Sequence, residues 1–130
     1  MKSVLGLAVL TVALVLVSFR PDYNIDDIAS AMKAGNISQL SRFLDTRVDI
    51  ALPEKSDTYS KSQAEMIIRD FFNTNVVRNF LVKHKGENSG TEFCIGTLQT
   101  RNGGDYRTTL FIKQKGDKLL LQELRFQSAE

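Results

Sequence analysis

The sequence predicts an α+β domain with helices packed on one face of a curved antiparallel sheet. Two observations lead there. Residues 24–44 and 60–75 carry capped segments of helical period, and from Arg78 to Phe126 the chain breaks into strand-like runs separated by turn chemistry.

Asn24 is placed to cap a helix in which Ile25, Ile28, Ala29 and Met32 share one face, with Asp26 and Asp27 in the first turn, where the helix dipole favours acids. Gly35 ends it, and Asn36 caps a second short helix carried by Ile37, Leu40, Phe43 and Leu44. Val48, Ile50 and Leu52 alternate with Arg47, Asp49 and Ala51, the period of a half-buried strand that stops at Pro53. Glu54 to Thr58 reads as a polar turn. Two overlapping capping boxes, Ser60 with Gln63 and Ser62 with Glu65, precede the apolar face Ala64, Ile67, Ile68, Phe71 and Phe72, which predicts the third helix, ending near Asn73-Thr74-Asn75. Strands then follow over Arg78–Lys85, Glu92–Thr100, Tyr106–Lys115 and Lys118–Phe126. Gly86–Gly90, Asn102–Asp105 and Gly116-Asp117 separate them, and connections this short make the strands antiparallel neighbours.

At the N-terminus, Met1-Lys2-Ser3 precedes the uncharged run Val4–Val17 and then Ser18-Phe19-Arg20-Pro21. One basic residue ahead of an apolar run of about 7–15 residues has the form of a secretory signal peptide, whereas a spanning helix needs roughly 20. Residues 1–19 are therefore expected to be a signal peptide and residues 20–130 a single exported domain, periplasmic or secreted. Leu16 and Ser18 occupy the positions where a cleavage site favours two alanines. An uncleaved anchor is the alternative, and it is the only membrane contact expected.

The chain of 130 residues has 42% hydrophobic and 25% charged residues, a balance that excludes disordered and collagen-like classes. Its net charge of +2 is well below that of a dedicated nucleic-acid binder. Cys94 is the single cysteine, so no intramolecular disulfide can form and stability rests on packing. One His and one Cys fall short of a zinc site, and no cofactor motif is present.

The run Tyr59-Ser60-Lys61-Ser62-Gln63-Ala64-Glu65 through Asp70-Phe71-Phe72, followed by His84-Lys85-Gly86, Ile95-Gly96-Thr97-Leu98 and Leu124-Arg125-Phe126, resembles a family of small exported proteins of Bacteroidetes-type bacteria, a DUF4783-like domain of unknown function. The resemblance covers Asn24 to Phe126. It implies a nuclear-transport-factor-2-like fold (cystatin-like, SnoaL-like), a cone whose helices wrap a strongly bent sheet around a pocket. That fold hosts isomerases, dehydratases and non-catalytic binding or dimerisation modules, so it does not by itself define an activity. The carboxylate base and acidic donors of its ketosteroid-isomerase-like members have no match here.

Within this frame the candidate ligand-binding residues are Tyr59, His84, Tyr106 and Arg107. The tyrosines combine an apolar ring with a donor at its tip. His84 shares strand parity with Phe80 and Val82, which aims it at the cone. Arg107 and Arg125, on neighbouring strands, either pair with Glu123 or present two guanidinium forks to an anion. Residues from 76 onward carry net charge +3 against −2 for residues 20–75, which fits an anionic ligand or a solvated sheet face. Cys94 is expected in the core; a Cys94–His84 pair would need the two strands to bring them within about 3–4 Å.

Parity places Leu119 and Leu121 on the face opposite Leu120, Leu124 and Phe126, leaving one apolar set with Phe111 outside the core. Sheet-to-sheet dimers are frequent in the fold implied by the resemblance, and a homodimer is expected. The leading functional expectation is a non-catalytic module that binds a small apolar or weakly anionic ligand or a partner protein. The alternative is a cofactor-free isomerase or dehydratase using His84, Asp49, Asp70 or Glu123 as base and Tyr59 or Tyr106 as donor.

Overall fold

A computed structural model describes residues 24–129. The expected signal peptide lies outside the described residues, and no described helix is long and apolar enough to cross a membrane.

Helix α1 (Ile25–Ala34) starts at a capping box in which the Asn24 side chain accepts from first-turn amides and the Asp27 carboxylate accepts from the Asn24 amide at 2.7 Å. Gly35 ends it in the left-handed region at φ 60°. The second helical segment is shorter than its period predicts. After α2 (Ile37–Leu40) the chain tightens into a 3-10 turn over Ser41–Phe43, and Leu44 already opens β1 (Leu44–Ala51). Where a polar turn was expected, Ser56–Ser60 forms strand β2 antiparallel to β1, with Tyr59 opposite Val48. It is an edge strand whose other residues are exposed, so it shows no apolar alternation.

Helix α3 (Lys61–Thr74) is capped by the Ser60–Gln63 box, whereas Glu65 reaches back to no cap and instead pairs with Arg69 at 3.0 Å. Strands β3 (Val77–Asn88), β4 (Thr91–Thr100), β5 (Asp105–Lys115) and β6 (Lys118–Ser128) form the expected antiparallel meander. The first connection is tighter than expected: β3 runs through Gly86, and only Ser89 and Gly90, both at positive φ, make the turn.

The sheet order is β2-β1-β6-β5-β4-β3. Its closing contact is a parallel pairing of β1 with β6, so the sheet is mixed, with a single parallel ladder beside the antiparallel ones. That pairing joins residues more than seventy positions apart, and no local pattern predicts it. Helices α1 and α3 lie on one face of the sheet: α1 packs on β3 and β4, and α3 on β1 and β2. One contiguous apolar cluster occupies the space between, including Ile28, Met32, Leu40, Ile68, Leu98, Leu110, Leu121, Leu124 and Phe126.

Three bulges in the antiparallel ladders bend the sheet, and the parallel ladder shifts register between Leu44 and Asp49. Arg78 and Lys83 are extra residues in β3 relative to β4, and Gln122 is extra in β6 relative to β5. Each reverses strand parity. Because of Gln122, Leu119, Leu121, Leu124 and Phe126 all point into the core, so the two leucine sets assigned to opposite faces by simple alternation lie on one face. Leu120 alone stays outside, half-buried.

The Gln122 bulge is anchored by Asp45, whose Oδ2 accepts from the Gln122 side-chain amide at 3.2 Å and from Lys115 Nζ at 3.1 Å, while its Oδ1 accepts from the Thr46 amide at 2.7 Å. Burial pushes the Asp45 carboxyl up, but these three donors outweigh it and hold the group below the usual carboxylate range. A lowered folded-state value means that the stabilisation is present above the unfolded-state pKa of about 3.9 and is lost as pH falls through the folded value. Asp45→Asn is therefore expected to cost about 1–3 kcal/mol at pH 7. Urea titrations should show that deficit shrinking as the pH is lowered from 7 to 3; a deficit equal at both pH values would assign it to packing rather than charge.

Candidate functional site

The sheet presents two faces of different character. On the core face, Phe71 stacks on Phe126 with ring centroids 4.2 Å apart and meets Tyr106 edge-on at 5.1 Å. The Tyr106 hydroxyl donates to Asn75 Oδ1 at 2.9 Å, and the Asn75 amide donates to the Phe71 carbonyl at 3.1 Å. Asn102 continues this lock, accepting from the Val76 amide and donating to the Thr74 carbonyl, so the β4–β5 loop is pinned to the end of α3. Tyr106 is thus occupied in closing one end of the core. Tyr59 lies opposite Val48 and packs its ring against the same cluster.

His84 and Arg107 lie on the other side of the sheet. The Lys83 bulge falls between Phe80 and His84, so His84 pairs with Ile95 and turns outward, against the direction its parity predicts. Its ring is exposed and sits 5.4 Å from that of Phe93. Arg107 stands opposite Thr97 on one side and Gln127 on the other. Two successive rows therefore cross the outer face: Leu81, Thr97, Arg107 and Gln127 in one, His84, Ile95, Thr109 and Arg125 in the next. Of the four candidate residues, the fold brings His84 and Arg107 to the rim of one open depression of about 700 Å³ and leaves Tyr59 and Tyr106 on the opposite face.

Sequence reading missed Lys83, Gln127 and Ser128, which also line this depression. The signal for Lys83 was local: Leu81-Val82-Lys83-His84-Lys85 has no alternation of apolar and polar residues. A second depression of about 490 Å³ lies beyond Gln127, between Asp49, Asp57 and Glu123. Its charges are engaged: Glu123 pairs with Arg125 at 2.8 Å, and Asp49 accepts from the Thr58 hydroxyl. Arg125 is further drawn over the Phe111 ring, 5.9 Å from its centroid, so Arg107 and Arg125 do not converge on one ligand.

The remaining chemical candidates separate as well. Cys94 is buried on the core face opposite Lys85, and burial raises its thiol pKa above the ordinary value, which keeps it protonated. Its side chain and that of His84 leave the sheet in opposite directions, so the two form no nucleophile–base pair. Asp70 is exposed on α3, and Asp49 and Glu123 face outward. None of the residues named as bases shares an enclosed space with Tyr59 or Tyr106.

Three helices cupping one face of a sharply bent, six-stranded sheet define the nuclear-transport-factor-2-like class. An NTF2-like protein of unknown function from Cytophaga hutchinsonii superposes with a TM-score of 0.57 at 10% identity, over 78% of this chain and 83% of that one, a likeness of fold alone. The chain belongs to the DUF4783 family, a domain of unknown function, whose model matches residues 25–127. Family proteins of solved structure include one from Bacteroides ovatus, with 26% identity, 85% of this chain and 99% of that one covered, and a TM-score of 0.78. Another, from Bacteroides fragilis, has 30% identity, coverage of 83% and 100%, and a TM-score of 0.76. A search of curated proteins returns no match.

Proposed function

We propose that this domain is an exported, non-catalytic binding module whose working surface is the outer face of its sheet, and that it pairs there with a second copy of itself. The observation that carries the reading is the contrast between the two faces. Helices and an apolar cluster occupy the inner face, whereas the outer face keeps Phe93, Phe111 and Leu120 only half-buried. Phe93 and Phe111 are cross-strand partners, and the Phe93 ring lies over Gly86, whose missing side chain leaves it room. An apolar patch is complementary to itself under two-fold rotation, so a second copy satisfies it without a further protein. Export is supported by the charge and length pattern of residues 1–19.

The isomerase or dehydratase reading requires a base and a donor converging in one water-excluded cavity. Tyr106 spends its hydroxyl on Asn75, and the base candidates face outward or into solvent, so the arrangement favours binding over that chemistry.

Light scattering of the purified protein at tens of micromolar should give the mass of a dimer. Phe111→Glu, which sets a charge beside Phe93 in the apolar patch, is expected to give a monomer with an unchanged circular dichroism spectrum. A parent protein that stays monomeric under these conditions would remove the self-pairing.

A further inference from the structure

We propose that the depression bordered by Lys83, His84 and Arg107 is a binding site for a small anion carried on an apolar stem, a carboxylate or a phosphate monoester. The inference rests on the reading of the outer face as the working surface and names the ligand that face takes.

Charge is the first observation. Arg69, Lys85, Lys115 and Arg125 are each neutralised by a carboxylate, at 3.0, 2.9, 3.1 and 2.8 Å. Lys83 and Arg107 belong to the larger set of described lysines and arginines without such a partner, and what sets them apart is that they share one depression lined by no acidic residue among the described residues. Two uncompensated cations at one concave place attract an anion and repel each other when it is empty.

Backbone geometry is the second. A regular strand would send Lys83 and His84 to opposite faces of the sheet; the bulge at Lys83 brings both to the same rim. Arg107 enters from β5, opposite Thr97, and its planar fork can grip two oxygens of a carboxylate or phosphate at once. Thr97 and Gln127, its neighbours on either side, add a hydroxyl and an amide donor around it.

Ile95 gives the depression an apolar floor that leads toward Phe93. A headgroup held by Arg107 would lay its stem along that floor. The volume of about 700 Å³ falls within the range of small-molecule sites. Arg107 stands four residues along β5 from Phe111, roughly 13 Å away in an extended strand, so a dimer centred on Phe93 and Phe111 leaves the rim reachable.

The test is an amide chemical-shift titration of the purified protein with octanoate, octyl phosphate and octanol, each below its micelle-forming concentration. The expected result is saturable shifts at Thr97, Arg107 and Gln127 with at least one anion and none with octanol. Lys83→Gln and Arg107→Gln, both exposed, are each expected to weaken binding at least tenfold while amides elsewhere keep their positions. Response to octanoate alone assigns a carboxylate, response to octyl phosphate alone a phosphate, and response to both an anion of either kind. No saturable shift with either anion, or equal binding by the two variants, would overturn the proposal. Because Phe111→Glu leaves the rim intact, anion binding by that monomer would stand even if self-pairing failed. A dimer that ignores both anions would sink this site and leave the self-pairing.

Discussion

Gly96→Ala is expected to destabilise the domain by about 2–3 kcal/mol, a large effect for a single methyl group. Gly96 lies in β4, with β3 on one side and β5 on the other, so the strands that flank it cannot both move away. A Cβ built there would stand 2.6 Å from the Leu81 carbonyl oxygen and 2.8 Å from two atoms of the Phe80 ring. Phe80 is itself a core residue, 5% exposed, so its ring cannot swing into solvent without abandoning apolar contacts. The carbonyl is harder still to displace, because it belongs to the ladder that β3 forms with β4. Chemical denaturation of Gly96→Ala measures the loss. A second variant, Gly96→Ala with Phe80→Leu, separates its two sources: the smaller side chain relieves the ring contact and leaves the carbonyl contact, so partial rescue is expected. Full rescue would show that the ring alone requires the glycine, and no loss in Gly96→Ala would show that β3 and β4 separate freely at this point.

Close approach at Gly96 belongs to the same bending that limits what can be read from the sequence. Helix starts were legible because capping is local: the Asn24 and Ser60 boxes form as their residue types demand, and Gly35 stops α1. The meander was legible for the same reason, since Asn102–Asp105 and Gly116-Asp117 are short-range turn signals. Strand β2 escaped notice because an edge strand with one half-buried residue, Tyr59, has nothing to alternate. The β1–β6 ladder escaped because its information lies in two distant segments that meet only in the folded chain.

Faces were harder than strands, and the reason is the bulges. Strands β3 and β6 each carry extra residues relative to a neighbour, and a regular alternation does not mark where these fall. Alternation therefore holds on either side of a bulge and fails across it. Counting from Phe80 sends His84 inward, and counting from Leu121 sends Leu124 outward; Lys83 and Gln122 reverse both assignments. The candidate site moved with them, from the inside of the cone to the outer face. Of the residues chosen from chemistry alone, Arg107 and His84 remain together because they occupy adjoining rows, while the two tyrosines serve the core.

Phe126→Ala is expected to cost about 3–5 kcal/mol, the largest loss from any single side chain considered. Phe126 is 1% exposed at the end of β6, with Phe71 of α3 stacked on it and Tyr106 meeting Phe71 edge-on. Its removal takes away buried apolar area and one face of an aromatic cluster at once. The surroundings have little freedom to collapse: Tyr106 is held through its hydroxyl by Asn75, and Asn75 is held by the Phe71 carbonyl. A dry, apolar void should therefore persist where the ring stood, of the kind that admits a small aromatic molecule. Two measurements check this, the denaturation midpoint of Phe126→Ala and its rise on adding benzene, which binds the folded state alone and stabilises it by mass action. A rise confined to the variant would mean that the interior is a pocket-shaped space plugged by the protein's own side chain, and that Phe126 is what diverts binding to the outer face. A parent protein stabilised equally by benzene would mean that the cone already holds room for a ligand, and would return Tyr59 and Tyr106 to the list of binding residues.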